Sequence, residues 1–283
     1  MKTRPLTAKR VRGIARTAFT TSRLLEFCTV EELTKLIGCT PEAWPVVFVK
    51  EGVDNALDAC EEGDIAPEIT IAVSTTKRTI SISDNGPGIA GDTIAKLLDF
   101  TKKTSSREAY VGPTRGAQGN ALQALLAMPF ALDGSRGETT IQSRGIDHRI
   151  TFTIDTVRRE PKIEVAEQPG FVHSGTCLTA RWPKDASVLT GAKERIVQIA
   201  RDFPWLNPHA SFTLKWDNKT LVTAPATDPA WHKWRPHDPV PAHWHDGESF
   251  NRLIAAYVAD DEDHVVRRRI SRLRPLRYAE DGA

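Results

Sequence analysis

Between Pro45 and Gly63 lies a stretch whose two faces require different neighbours. Val49, Val53, Leu57 and Cys60 recur at helical spacing and line one face. Glu51, Asn55 and Asp58 stand four and three residues apart and line another. Such a helix must lay its apolar side on a sheet, and it leaves a polar row beside whatever fills the remaining space. Pro45 suits the first turn and Gly63 follows the end, so the helix is expected over 46–61. Two β-strands should follow, over 69–73 and 79–83, joined by a turn at 74–78.

The rest of the chain extends this pattern. Residues 1–24 carry Lys2, Arg4, Lys9, Arg10, Arg12, Arg16 and Arg23 without an acid, and read as a flexible basic arm. A short helix over 30–37 is capped by Thr29, with Glu31 and Glu32 in its first turn. After a glycine-broken loop at 84–89 come a helix over 93–100, an irregular polar stretch at 101–118, and a helix over 119–128 stopped by Pro129. Strands are expected over 139–143, 148–155, 162–166 and 176–181, and a domain boundary between Pro183 and Gly191. Beyond it lie a helix over 192–202, a strand over 212–216, a Pro- and Trp-rich stretch at 224–247 and a last helix over 250–258. Helices beside mostly antiparallel strands give an α+β fold, a two-layer α/β sandwich. The divisions are an arm at 1–24, a main domain at 25–185 and a second, partial α+β region at 186–283.

Composition excludes several classes. With 40% hydrophobic and 26% charged residues in 283, and a net charge of +2, the chain reads as an ordinary globular protein. Cys28, Cys39, Cys60 and Cys177 are scattered without a CxxC pair, against a zinc knuckle or disulfide scaffold. No apolar run reaches the ~18 residues of a membrane span, and the basic N-terminus lacks a secretory apolar core, so a cytoplasmic protein without membrane contact is expected. The arm and the run Arg267, Arg268, Arg269, Arg272, Arg274 and Arg277 could meet the phosphates of DNA, or be solvated ends. His237, His243 and His245, near Asp238 and Asp246, could hold a metal, though a packed Pro/Trp-rich segment is the plainer reading. Tyr110, Tyr257 and Tyr278 lack a nucleophile's setting, and no P-loop occurs.

Three further motifs follow the polar row in order. Asp84-Asn85-Gly86-Pro87-Gly88 places an acid directly after a strand, with glycines that let the backbone approach a flat ligand; a carboxylate there can accept from an exocyclic amine. Thr114-Arg115-Gly116-Ala117-Gln118-Gly119-Asn120-Ala121 is a glycine-bearing loop running into a helix, a ready anion site. Ser174-Gly175-Thr176 opens a strand and brings a hydroxyl.

Together these resemble the GHKL ATPases of the gyrase, chaperone, histidine-kinase and mismatch-repair superfamily over about residues 25–185. The form Glu-x-x-x-Asn-Ala-x-Asp-Ala and the Thr-Arg-Gly-x-x-Gly loop look most like the topoisomerase VI B family. The resemblance implies the Bergerat sandwich with ATP and Mg²⁺ as ligands, Glu51 as general base, Asn55 as Mg²⁺ ligand and Asp84 as the adenine reader. Asp58, Gly86, Gly88, Gln118, Ala121 and Thr176 would complete the ATP pocket, Gly116, Gly119 and Asn120 would approach the phosphates, and 101–106, with Ser105, would lie in the lid. The lid departs from that family's Gly-x-Gly ending, because Asn120 and Ala121 follow Gly119. Asn207-Pro208-His209-Ala210 resembles the start of a transducer domain, and Lys215, Lys219 and Lys233 are candidates for its γ-phosphate lysine. A slow ATPase is implied, with a homodimer forming on ATP binding and a tyrosine-bearing, DNA-cleaving partner protein. The alternative is a non-hydrolysing ATP-binding switch or scaffold in a defence or mobile-element system.

Overall fold

The computed structural model describes residues 24–100, 121–155, 157, 160–183, 187–231 and 246–259. The chain enters through α1 (Leu24–Cys28) and α2 (Val30–Ile37). Extended Thr29 caps α2 by accepting from the Glu32 N–H at 3.2 Å, and Gly38 ends it in the left-handed region at φ +79°. A 3-10 turn at Pro41–Ala43 leads into α3 (Trp44–Glu62), the two-faced helix.

There follow β1 (Glu68–Ser74), β2 (Thr79–Ser83), α4 (Gly91–Leu97), α5 (Ala121–Asp133), β3 (Arg136–Ser143), β4 (Ile146–Asp155), β5 (Glu160–Pro169) and β6 (Thr176–Arg181). Then come α6 (Ser187–Gly191), α7 (Lys193–Leu206), β7 (Ser211–Trp216), β8 (Lys219–Ala224) and α8 (Gly247–Ala259). The chain divides into two compact units, one reaching Trp231 and the other holding α8.

Among the described residues one sheet of eight strands runs β5-β4-β3-β6-β2-β1-β7-β8. Every pairing is antiparallel except β1 with β7, where Ile69 registers with Phe212 and Ile71 with Leu214. The sheet therefore continues past the position expected for a boundary, and the strand after Asn207 joins the same layer as β1.

Strand alternation sorts the side chains into two layers. Ile69, Ile71, Ile80, Ile82, Ile141, Ile150, Phe152, Leu178, Phe212 and Leu214 are buried against the helices. Thr70, Ser81, Thr140, Thr179 and Thr213 stand half-exposed on the other face. Phe100 packs edge-on against Phe27 at 5.1 Å and Phe152 at 5.7 Å, tying the helical layer to the sheet. The expected two-layer α/β sandwich is the fold.

Two local expectations gave way. Pro129 does not stop α5, which continues to Asp133 and is buried from Gln123 to Ala131. A mid-helix proline loses a backbone hydrogen bond, yet burial of the flanking Leu125, Leu126, Met128 and Phe130 keeps the helix going. The strand β8 had no place among the expected elements. Asp217 and Asn218 take positive φ values of 45° and 65°, the conformation of a two-residue hairpin turn, and send the chain back as an edge strand. Asp217 also accepts from the Thr75 N–H at 2.7 Å and its hydroxyl at 2.8 Å, which joins the two hairpin turns.

β3 lies so close to α5 that a Cβ at Gly137 would sit 2.6 Å from the Phe130 Cβ. Gly137→Ala should therefore destabilise the domain by about 1–3 kcal/mol through overpacking, read as a lower thermal midpoint. Gly191→Ala, with open space around it, should leave the midpoint within the roughly 0.5 kcal/mol of a neutral surface change.

Candidate functional site

The site is built where α3 crosses the end of β2. Gly52, buried on α3, allows this approach: a Cβ there would lie 2.8 Å from the Ile82 Cδ1. The apolar face goes down onto the sheet with Val49, Val53, Leu57 and Cys60 buried, and the polar row stays open. Glu51 and Asp58 are half-buried and Asn55 is exposed. The Asn55 Nδ2 donates to the Glu51 backbone carbonyl at 2.7 Å, leaving its Oδ1 for another partner. The Glu51 carboxylate receives Lys50 Nζ at 2.6 Å, and the same ammonium reaches Asp54 at 3.1 Å.

Asp84 follows β2 directly. Its Oδ1 accepts two backbone N–H groups, from Gly86 at 2.8 Å and Thr176 at 3.2 Å. The chain segments carrying those donors are clasped to each other, with the Asp84 N–H on the Thr176 carbonyl at 3.0 Å and the Gly175 N–H on the Gly86 carbonyl at 2.8 Å. Gly175 has φ +76° and packs against the Asp84 carbonyl where no Cβ would fit. Burial raises the Asp84 carboxyl above the ordinary aspartate range, and the Gly86 and Thr176 N–H groups pull the other way. Burial also pushes the Cys60 thiol up to about 12, with the Asp84 charge adding to it. That thiol donates to the Asn85 Oδ1 at 3.4 Å, while the Asn85 Nδ2 donates to the Ala66 carbonyl at 2.9 Å. Asn85 thus pins the loop to the approach of β1.

The structure brings Asp84, Gly86, Gly88 and Thr176 into one turn cluster and keeps Glu51, Asn55 and Asp58 along one open side of α3. Ser105, Gly116, Gln118, Gly119 and Asn120 lie outside the described residues, as do Lys233 and the three clustered histidines. Ala121 opens α5 and is half-buried. Lys215 alternates with buried Leu214 and Trp216, so it stands on the sheet face away from α3, and Lys219 opens the edge strand.

Three residues that sequence reasoning missed shape the site. Ser143 and Arg144, at the end of β3, bond to Ile89, Gly175 and Pro87, partners remote in sequence, and no local motif announces them. Gln123 had a signal, being one amide within an apolar helical run. It is buried and donates to the Leu97 carbonyl at 3.0 Å, so it ties the start of α5 to the end of α4.

A half-buried carboxylate held in a glycine turn, next to a helix bearing an amide and carboxylates, thus belongs to an α/β sandwich. Residues 42–186 match the family model described as histidine kinase-, DNA gyrase B-, and HSP90-like ATPase, and the chain belongs to that family. ATP is accordingly the ligand of the domain. The chain is similar to the B component of the type 2 DNA topoisomerase 6 of Archaeoglobus fulgidus, 32% identical over 184 residues, covering 62% of this chain and 30% of that one. The corresponding topoisomerase 6 protein of Methanosarcina mazei is 35% identical over 178 residues, covering 60% and 28%. The chain thus spans under a third of the length of these relatives. Among solved structures, the Aquifex aeolicus MutL ATPase domain complexed with ADP aligns over 64% of this chain and 62% of that one, at 16% identity and a TM-score of 0.37. No helix among the described residues is long and apolar enough to cross a membrane.

The raised Asp84 carboxyl has a testable cost. A folded-state value above the unfolded one favours folding only while the group is protonated, and that contribution is lost as pH rises through the folded value. Asp84→Asn keeps an oxygen for both N–H donors and removes the half-buried charge. The nucleotide-free variant should therefore melt at or above wild type at neutral pH. The difference should shrink as pH falls to the ordinary aspartate range, as followed by thermal denaturation across pH.

Proposed function

We propose that ATP binds with its adenine amine on Asp84 and its phosphates and Mg²⁺ along the open side of α3, and that the domain hydrolyses it slowly. The observation that carries this reading is the Asp84 carboxylate. One oxygen is held by two backbone N–H groups, so that the other would serve a ligand donor. Gly86, Gly88 and Thr176 would line the base pocket, and Asp58 would support the polar side of α3.

The donor set suits Mg²⁺, a hard cation that keeps several waters and needs few protein oxygens. The Asn55 Oδ1 is left available by the bond its Nδ2 makes, and it would be the protein ligand. When bound, the cation would neutralise phosphate charge. Glu51, one turn earlier on the same side, would accept the proton of the water attacking the γ-phosphorus as ADP leaves. Lys50 holds that carboxylate at 2.6 Å and would keep it oriented. Gly116, Gly119 and Asn120 would approach the phosphates, Gln118 and Ala121 would complete the ATP pocket, and 101–106, with Ser105, would belong to a lid, so that catalysis rests on positioning.

Similarity to topoisomerase components supports a wider role: closure with ATP, pairing of two copies, and action on DNA through a partner protein that supplies the cleaving tyrosine, in the cytoplasm. Residues 186–283 would contribute a partial transducer. A second reading is a switch or scaffold that binds ATP without turning it over, favoured by the place of Lys215, a candidate γ-phosphate lysine, on the sheet face away from α3.

Glu51→Ala should bind ATP like wild type by calorimetry and lose at least about 100-fold in phosphate release. Equal release from the two proteins above buffer would remove Glu51 as the base, and release at the buffer rate from wild type would leave only the switch. Asp84→Asn should weaken ATP binding by about ten-fold or more, the scale of one charge-assisted hydrogen bond; undiminished affinity would remove the base assignment.

A further inference from the structure

We infer that Ser143 is a positioning residue for base recognition, setting the orientation of Asp84 without touching the nucleotide. The inference rests on the reading of Asp84 as the adenine partner. Ser143 is the last residue of β3, pairs in register with Thr176 and is 1% exposed. Its Oγ accepts the Ile89 N–H at 2.8 Å and donates to the Gly175 carbonyl at 3.1 Å. One hydroxyl therefore bridges the far end of the glycine loop to the turn that brings the Thr176 N–H onto Asp84.

The geometry leaves little slack. Gly86 and Thr176 deliver the two N–H groups on the Asp84 Oδ1, and each belongs to a segment that Ser143 holds. Gly88, at φ +74°, lies so near that a Cβ would sit 2.7 Å from the Ser143 Oγ and 3.0 Å from the Gly175 carbonyl oxygen. On the outer side the Arg144 Nε donates to the Pro87 carbonyl at 3.3 Å. Removing the hydroxyl orphans a half-buried N–H and a buried carbonyl together, so the two segments can shift and the carboxylate loses its fixed direction. The base contact should weaken more than the phosphate contacts, because the bonds of Ser143 run to the glycine loop and the Gly175 turn and not to α3.

The test compares ATP with inosine triphosphate, which carries a carbonyl where adenine has its amine, by calorimetry on the full chain. Ser143→Ala should lower the ratio of the two affinities about ten-fold. Ser143→Thr, which keeps the hydroxyl, should restore it. A purely structural loss would weaken both nucleotides equally and leave the ratio unchanged, which would overturn the inference. Hydrogen exchange at the Gly86, Ile89 and Thr176 amides should also accelerate in nucleotide-free Ser143→Ala, and unaltered exchange would equally overturn it. If Ser143→Ala does not fold, Ser143→Cys fills the space with a weaker partner and is read in the same way. A wild type that fails to prefer ATP would remove the assignment of Asp84 and this inference together. A wild-type preference that survives intact in Ser143→Ala removes the inference alone.

Discussion

A half-buried carboxylate held by main-chain N–H groups joins the turns at the centre of this domain. Ionised groups leave water at a large cost unless hydrogen bonds replace the solvent, and Asp84 receives those bonds from Gly86 and Thr176. Both donors are backbone groups, so their direction depends on the path of two turns rather than on side-chain rotamers. The turns in turn depend on residues lacking a Cβ. Gly175 meets the Asp84 carbonyl at a distance only glycine permits, and Gly88 adopts a left-handed conformation. The same burial raises the carboxyl, against the pull of the Gly86 and Thr176 N–H groups.

The second dependence is the seat of α3. Gly52 lets α3 pack close on Ile82 of β2, the strand that Asp84 follows. The same closeness buries Cys60 beside the Asp84 loop, where it donates to Asn85, and Asn85 accepts from the Glu68 N–H at 2.9 Å. Helix, loop and first strand are thus bonded together at one corner. The acid-bearing helix and the Asp84 loop are therefore joined by packing and by side-chain hydrogen bonds.

Much of this was legible in local patterns. The capped helix at Val30–Ile37 has the bounds its Thr29 and glutamates foretell, because a cap is satisfied within a single turn. The two faces of α3 were plain from residue spacing, and so was the hairpin of β1 and β2. Pro129 misled because its local cost is overridden by the burial of its neighbours. β8 escaped notice because an edge strand with one lightly covered face has no strong alternation, and Asp217-Asn218 is a less familiar turn pair than one ending in glycine.

What the sequence by itself determined is the chemical inventory: an acid and an amide one turn apart on a helix, an acid between strand and glycines, and a hydroxyl after a glycine. Periodicity and turn chemistry are short-range, so they can be read without knowing where the chain goes next. Tertiary structure decided which of these groups meet and which oxygens stay available. The Thr176 N–H reaches Asp84 across 92 positions and the Ser143 hydroxyl reaches Ile89 across 54. Strand order also joined β7 to β1 in parallel, extending the sheet past the expected boundary. Such pairings are selected by the burial of a whole sheet face, and no stretch of neighbouring residues encodes them.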